Sequence, residues 1–178
     1  MLTVRMAVPD DAPETLTLLR SVVEEGSYTV REPSEVNLTE AEEREYIRKD
    51  REAPGSLCLV ATDGGAMVGT VRASAEPYRR VRHFADIDSL WVGLSHRRRG
   101  VADLLVSSLV SWARDHPEIE KLGLYAFSTN GGAIHLYEKH GFVVEGRSPR
   151  DIKFGDDDYA DTVAMGLLVK GRVPGPPA

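Results

Sequence analysis

The sequence predicts an α/β fold of the α+β kind, a mixed β-sheet with helices on its faces, and three observations predict it. Apolar residues recur at helical spacing before Leu57 and at strand spacing after it. The runs LCLVAT and MVGTVRAS, joined by the turn Asp63-Gly64-Gly65, read as a β-hairpin, whose strands are antiparallel. Beyond residue 90, strand and helix patterns alternate, which makes the sheet a mixed one.

Taken in order, Leu2, Val4 and Met6 alternate with Thr3 and Arg5 as a short half-buried strand. Pro9-Asp10-Asp11 opens a helix with Leu16, Leu19, Val22 and Val23 at helical spacing, ending near Gly26. Residues 27–38, with Pro33 and Asn37, read as loop. Thr39-Glu40-Ala41-Glu42 has a capping-box pattern and starts a strongly charged helix to about Asp50, and Pro54-Gly55 breaks the chain. The hairpin follows, and a third strand from about Arg82 to Val92 completes an antiparallel meander. After Gly100, Val101, Leu104, Leu105, Leu109 and Trp112 form one stripe of an amphipathic helix stopped at Asp115-His116-Pro117. KLGLYAF is a strand, Asn130 to His140 a helix ended by Gly141, FVVEG the start of another strand, and Tyr159 to Val169 the last. The segment GRVPGPPA, residues 171–178, reads as a flexible tail, and residues 1–170 as one domain without internal repeat or linker.

Composition narrows the function classes. At 178 residues, with 42% hydrophobic and 28% charged residues, the chain buries a core without metal or disulfide. Its net charge of −6 argues against a surface devoted to nucleic acid. Cys58 is the only cysteine, and no Cys/His cluster has metal-ligand spacing, so no metal is expected. The N-terminus lacks the apolar core of a signal peptide, and no run approaches the ~20 apolar residues of a membrane span. A cytoplasmic protein with no membrane partner is the expectation.

The chemistry concentrates in Leu90 to Ala102, LWVGLSHRRRGVA. A strand that runs through a loop into a glycine-marked helix start leaves several backbone N–H groups pointing one way, with the positive end of the helix dipole behind them. That arrangement suits an anion, and Arg97, Arg98 and Arg99 favour a phosphate or pyrophosphate. The competing reading is a solvated turn.

The run Arg97-x-x-Gly100-x-Ala102 resembles the R/Q-x-x-G-x-G/A signature of the GNAT superfamily of N-acetyltransferases. Ser128 to Phe142, STNGGAIHLYEKHGF, resembles that superfamily's second signature, with Asn130, Ala133, Tyr137, Gly141 and Phe142 in register. The resemblance covers roughly residues 2–170. It implies a sheet in which the third meander strand and the strand after the long helix splay apart at one end, with acetyl-CoA in the cleft as co-substrate. The N–H groups of Arg98, Arg99, Gly100, Val101 and Ala102 would then cradle the pyrophosphate, behind the motif's first residue, Arg97. The backbone of Leu90, Trp91 and Val92 would pair with the pantetheine arm, and Asn130 would touch the cofactor besides capping its helix.

Moving an acetyl group from a thioester to an amine needs a neutral amine, a stabilised oxyanion and a proton for the departing thiolate, with no covalent enzyme intermediate. By the resemblance Tyr137 is the general acid, a phenol able to protonate a thiolate; otherwise it is an aromatic packed on its helix. Asp86, in FADI, resembles the glutamate that draws the amine's proton in the family's histone acetyltransferases. Asp88 lies two residues on, sharing a face with Asp86 on a regular strand, where like charge raises one pKa; a β-bulge would separate them. The alternative for Asp86 is a solvated strand acid. In bacterial protein N-terminal acetyltransferases a glutamate five positions before the motif asparagine is a base; Tyr125 stands there, a departure that weighs against that substrate class.

Cys58, mid-strand, reads as an inert buried thiol, the histidines as surface or packing residues, and Trp91 and Trp112 as core or cleft wall. The acceptor side falls to Ser27–Leu38 and Arg147–Asp161, where Asp156, Asp157, Asp158, Glu32 and Glu35 would make an acidic mouth if they converge; apart, they are solvated loop acids. The expectation is an acetyl-CoA-dependent N-acetyltransferase acting on a small-molecule amine, without nucleic-acid or membrane partner. A homodimer is the assembly that similar proteins commonly form. The alternatives are a protein N-terminal or lysine acetyltransferase and a non-catalytic CoA-binding module.

Overall fold

A computed structural model describes residues 1–171; most of the predicted tail, residues 172–178, lies outside the described residues. The chain runs β1 (Leu2–Met6), α1 (Ala12–Glu25), α2 (Glu40–Glu52), β2 (Leu57–Asp63), β3 (Ala66–Ala75), β4 (Phe84–Val92), α3 (Val101–Asp115), β5 (Lys121–Phe127), α4 (Gly131–Lys139), β6 (Val143–Gly155) and β7 (Asp158–Leu168). The strands form one sheet in the order β1-β2-β3-β4-β5-β7-β6. Among the described residues only β4 and β5 pair in parallel, joined across the sheet by α3; the other neighbours are antiparallel. The predicted mixed α/β sheet is therefore the fold, and its parallel character is confined to that one pair.

Local chemistry sets the element ends. Thr39 accepts from the Glu42 N–H while the Glu42 carboxylate accepts from the Thr39 N–H, the reciprocal cap that the sequence predicts for α2. Two layers of helix then bury the sheet. On one face α3 sets Val101, Leu105, Val106 and Leu109 against Leu59, Val71, Ala85 and Leu122, all fully or nearly buried. Each such side chain contributes about 1.5–3 kcal/mol on leaving water. On the other face Ile47 of α2 packs with Cys58 and Val60, and Leu16, Leu19 and Val23 of α1 pack with Trp91.

Two irregularities shape the middle of the sheet. The β4–β5 ladder spans only Phe84↔Lys121, Ala85↔Leu122 and Asp86↔Gly123, after which the strands separate. At Gly123 a Cβ would lie 2.4 Å from the Phe84 ring, so a larger residue there would force the ring at this root to shift. On the other side of β4, Ala73 pairs with Ile87 and Arg72 with Ser89, which leaves Asp88 as a β-bulge.

Candidate active site

The separated strands open a cleft of about 1220 Å³, walled by α1, the segment 28–38, the end of β4, the start of α3, and α4. Beyond Asp86 no described strand pairs with β4 on its β5 side, so the backbone of Leu90–Val92 presents a free edge along the cleft. The bulge at Asp88 resets the alternation of the strand. Trp91 packs toward α1, while Leu90 and Val92 pack toward the α3 face.

The loop after β4 turns sharply, with Arg98 at φ 59° and Gly100 at φ 83°, both in the left-handed region where glycine is the favoured occupant. Gly100 caps α3 with no side-chain hydrogen bond, leaving first-turn N–H groups of that helix without a capping acceptor beside the cleft. Arg98, Gly100, Val101 and Ala102 line the cleft, whereas the exposed Arg99 does not. Arg97 lines it too, but its guanidinium is occupied. It donates to both carboxylate oxygens of Glu25 at 2.6 and 2.5 Å, and its Nε donates to the Val92 carbonyl at 3.2 Å. Asn130 caps α4 by accepting from the Ala133 N–H at 3.1 Å and also lines the cleft.

The three acid–base candidates separate by depth. Tyr137, 5% exposed, lines the cleft with its ring edge-on to Phe142 at 5.3 Å. Burial raises its phenol well above the ordinary value, so it stays protonated and suits a proton donor. Asp88 opens on the cleft, where the Ser74 hydroxyl donates to it at 2.8 Å. Desolvation pushes its carboxyl up, against the pull of Ser74 and of Arg72. Asp86 lies at the root of the β4–β5 pair, outside the cleft lining, and its carboxyl is raised by burial and then by Asp88, with Lys121 opposing. The structure thus brings Tyr137 and Asp88 to one cavity and leaves Asp86 behind it.

Beside Asp88 lies a charged cluster that the sequence pattern does not announce. Arg72 Nη2 donates to Glu43 Oε1 at 3.1 Å, and Arg72 Nε lies 2.7 Å from Asp50 Oδ2, an ion contact off the N–H axis. The Thr15 hydroxyl donates to the same Glu43 oxygen at 3.1 Å. Arg72 alternating with Val71 and Ala73 opposite the acid-rich α2 is the signal that could have found it. The expected acidic mouth is also built differently. Asp156, Asp157, Asp158 and Glu32 do not line the cleft; the three aspartates sit at the connection from β6 to β7, Glu32 lies between the lining residues Arg31 and Glu35, and no residue of 147–161 reaches the lining. Of the expected acids Glu35 lines the cleft, and Glu42, Glu43 and Asp88 join it in the acidic wall. Among the described residues no group of three or more His, Cys, Asp or Glu side chains is placed to hold a metal ion, and no helix is long and apolar enough to cross a membrane.

Comparison with known proteins identifies the arrangement. The family described as Acetyltransferase (GNAT) family matches residues 25–142. The chain is 29% identical over 116 residues to the L-amino acid N-acetyltransferase AaaT of Escherichia coli (strain K12), covering 63% of this chain and 68% of that protein. A GNAT-family acetyltransferase from Streptococcus pneumoniae superposes with a TM-score of 0.90 at 30% identity, over 96% of this chain and 100% of that one. In fold the chain also matches yncA of Salmonella typhimurium, solved with its cofactor acetyl-CoA, with a TM-score of 0.84 at 19% identity, over 100% and 99% of the two chains. With a family match over most of its length, two signatures at the strand–helix junctions and a splayed parallel pair between them, the chain belongs to the Acetyltransferase (GNAT) family and is an N-acetyltransferase.

Proposed function

We propose that the protein transfers the acetyl group of acetyl-CoA to the amino group of a small molecule, with L-α-amino acids as the acceptor class. The observation that carries the reading is the continuity of one cleft from the uncapped N-terminus of α3, past the free edge of β4, to the acidic wall around Asp88. The residues fit the donor. First-turn N–H groups of α3 and the Arg98 side chain suit a pyrophosphate, and the backbone of Leu90–Val92 suits the amides of a pantetheine arm. Bound there, acetyl-CoA supplies the acetyl group as a thioester.

The acceptor side suits a cation. Glu43, Asp50 and Asp88 set three carboxyls against the single guanidinium of Arg72, a field that draws an ammonium group. An ammonium is not a nucleophile, and Asp88, its carboxyl raised by desolvation, takes the proton that frees the amine. Tyr137, held neutral by burial, donates a proton to the departing thiolate. The name of the Escherichia coli relative supports L-amino acids as the acceptor class.

Purified protein, acetyl-CoA and a panel of L-amino acids, polyamines and peptides are mixed and free thiol is followed. Thiol release with amino acids and not with peptides is the expected result. Confirmed CoA binding without thiol release across the panel refutes the acetyl-transfer reading, and turnover of peptides alone moves the acceptor to proteins.

A further inference from the structure

Arg97 holds the first position of the arginine-glycine signature, yet its side chain is committed to protein groups. Both Nη atoms grip Glu25 fork to fork at 2.6 and 2.5 Å, and Nε holds the Val92 carbonyl at 3.2 Å. The side chains are 33% and 22% exposed, so solvent screens the pair less than it would on an open surface. Glu25 cancels the charge that Arg97 would otherwise offer an anion. The Arg98 side chain, which forms no ion pair among the described residues, remains for that task.

The position of the two partners matters more than their charge. Glu25 is the last residue of α1, and the chain leaves it through Gly26 at φ 69° into the segment 27–38. That segment forms the cleft wall facing the acceptor, through Tyr28, Val30 and Arg31, and Val36 and Leu38 tie it to the α1 cluster that Trp91 joins. Arg97 is the residue on which the donor loop pivots before the left-handed Arg98 and Gly100. One bidentate ion pair between residues 72 apart therefore fastens the root of the acceptor wall to the root of the donor cradle.

We propose that the Glu25–Arg97 pair is a positioning link between the two halves of the site: a donor pyrophosphate that fixes the backbone of residues 98–102 also orders the acceptor wall at residues 26–38. The proposal rests on the reading that this loop takes CoA. Arginine suits the task because its planar fork fixes orientation as well as distance, which a lysine point charge does not. Energy put into the donor loop passes to the acceptor wall only while the fork is closed.

The test is amide hydrogen exchange of the whole protein, with and without saturating CoA, on the parent, Glu25→Gln and Arg97→Lys. In the parent, CoA slows exchange in both 94–102 and 26–38, the latter about fivefold or more. In each variant CoA still slows 94–102, and the response of 26–38 falls away. An unchanged response of 26–38 in either variant overturns the link, as does a parent in which CoA protects 94–102 alone. A parent in which CoA protects neither segment overturns the CoA reading along with the link, a pattern distinct from the other two.

Discussion

Replacing Arg72 with Met tests the charged cluster under the sheet. The guanidinium touches Glu43 at 3.1 Å and Asp50 at 2.7 Å, and Glu43 is 4% exposed. Methionine fills much of the stem's volume but leaves the two carboxyls without their cation. Breaking a buried pair from one side costs about 3–5 kcal/mol. For a chain of this size each kcal/mol moves Tm by about 2–4 °C, so the melting point falls by about 6–20 °C. The pH dependence fixes the mechanism. Burial already raises the Asp50 carboxyl in the parent, and removal of Arg72 raises it further. A carboxyl whose folded pKa exceeds its unfolded value binds more protons when folded, so its penalty grows as pH rises through the interval between the two values. The deficit of Arg72→Met relative to the parent is therefore largest at neutral pH and shrinks as pH falls toward the ordinary carboxylate range, about 4. Urea denaturation of both proteins at neutral and mildly acidic pH measures it. A deficit below about 1 kcal/mol, typical of a surface pair, refutes the reasoning, and so does a deficit that grows on acidification.

The remaining expectations concern turnover and the root of the cleft. Tyr137→Phe keeps the contact with Phe142 and loses the proposed proton donor, so kcat is expected to fall about 10²–10⁴-fold with little change in Tm; steady-state kinetics with thermal denaturation show whether the two effects separate. Asp88→Asn lowers kcat/KM about 10²-fold or more. Because the Asp88 carboxyl is raised, the parent's activity is lost on the acid side at a pH above the ordinary carboxylate range, and that limb vanishes from the variant's pH profile. Gly123→Ala drives a methyl group to 2.4 Å from the Phe84 ring, and chemical denaturation should register a loss of about 1–3 kcal/mol.

Much of the fold and the shape of the glycine-marked loop before α3 could be read from residue patterns because both depend on local rules. The α2 cap, the hairpin at Asp63–Gly65 and the glycine before α3 are decided by neighbours within a few positions, and each stands where the sequence placed it. Tyr137 and Asn130 followed from a signature tied to one short helix. The acceptor half was not legible in the same way. Glu25 and Arg97 meet across 72 residues, and Arg72 finds Glu43 and Asp50 only after α2 docks on the sheet, so no spacing along the chain announces either contact. The run Asp156–Asp158 misled for the converse reason, since acids in a surface turn look alike in sequence whether or not the fold carries them to a cleft. Asp86 and Asp88 were a pair on paper, and only the register across β3 and β5 shows that one lies at the root and the other on the wall.

The bulge at Asp88 gives β4 two reading frames. Before it, residue parity obeys the sheet: Ala85 and Ile87 point to the α3 core. After it, parity is inverted, and Trp91 rather than Leu90 or Val92 meets α1. One supernumerary residue thus lets a single strand serve the protein's interior with its first half and the site's free edge with its second. The length of β4 is in consequence a functional quantity in its own right, and loss of one residue there would exchange every later inward side chain for an outward one, a disturbance that no substitution at the same position can imitate.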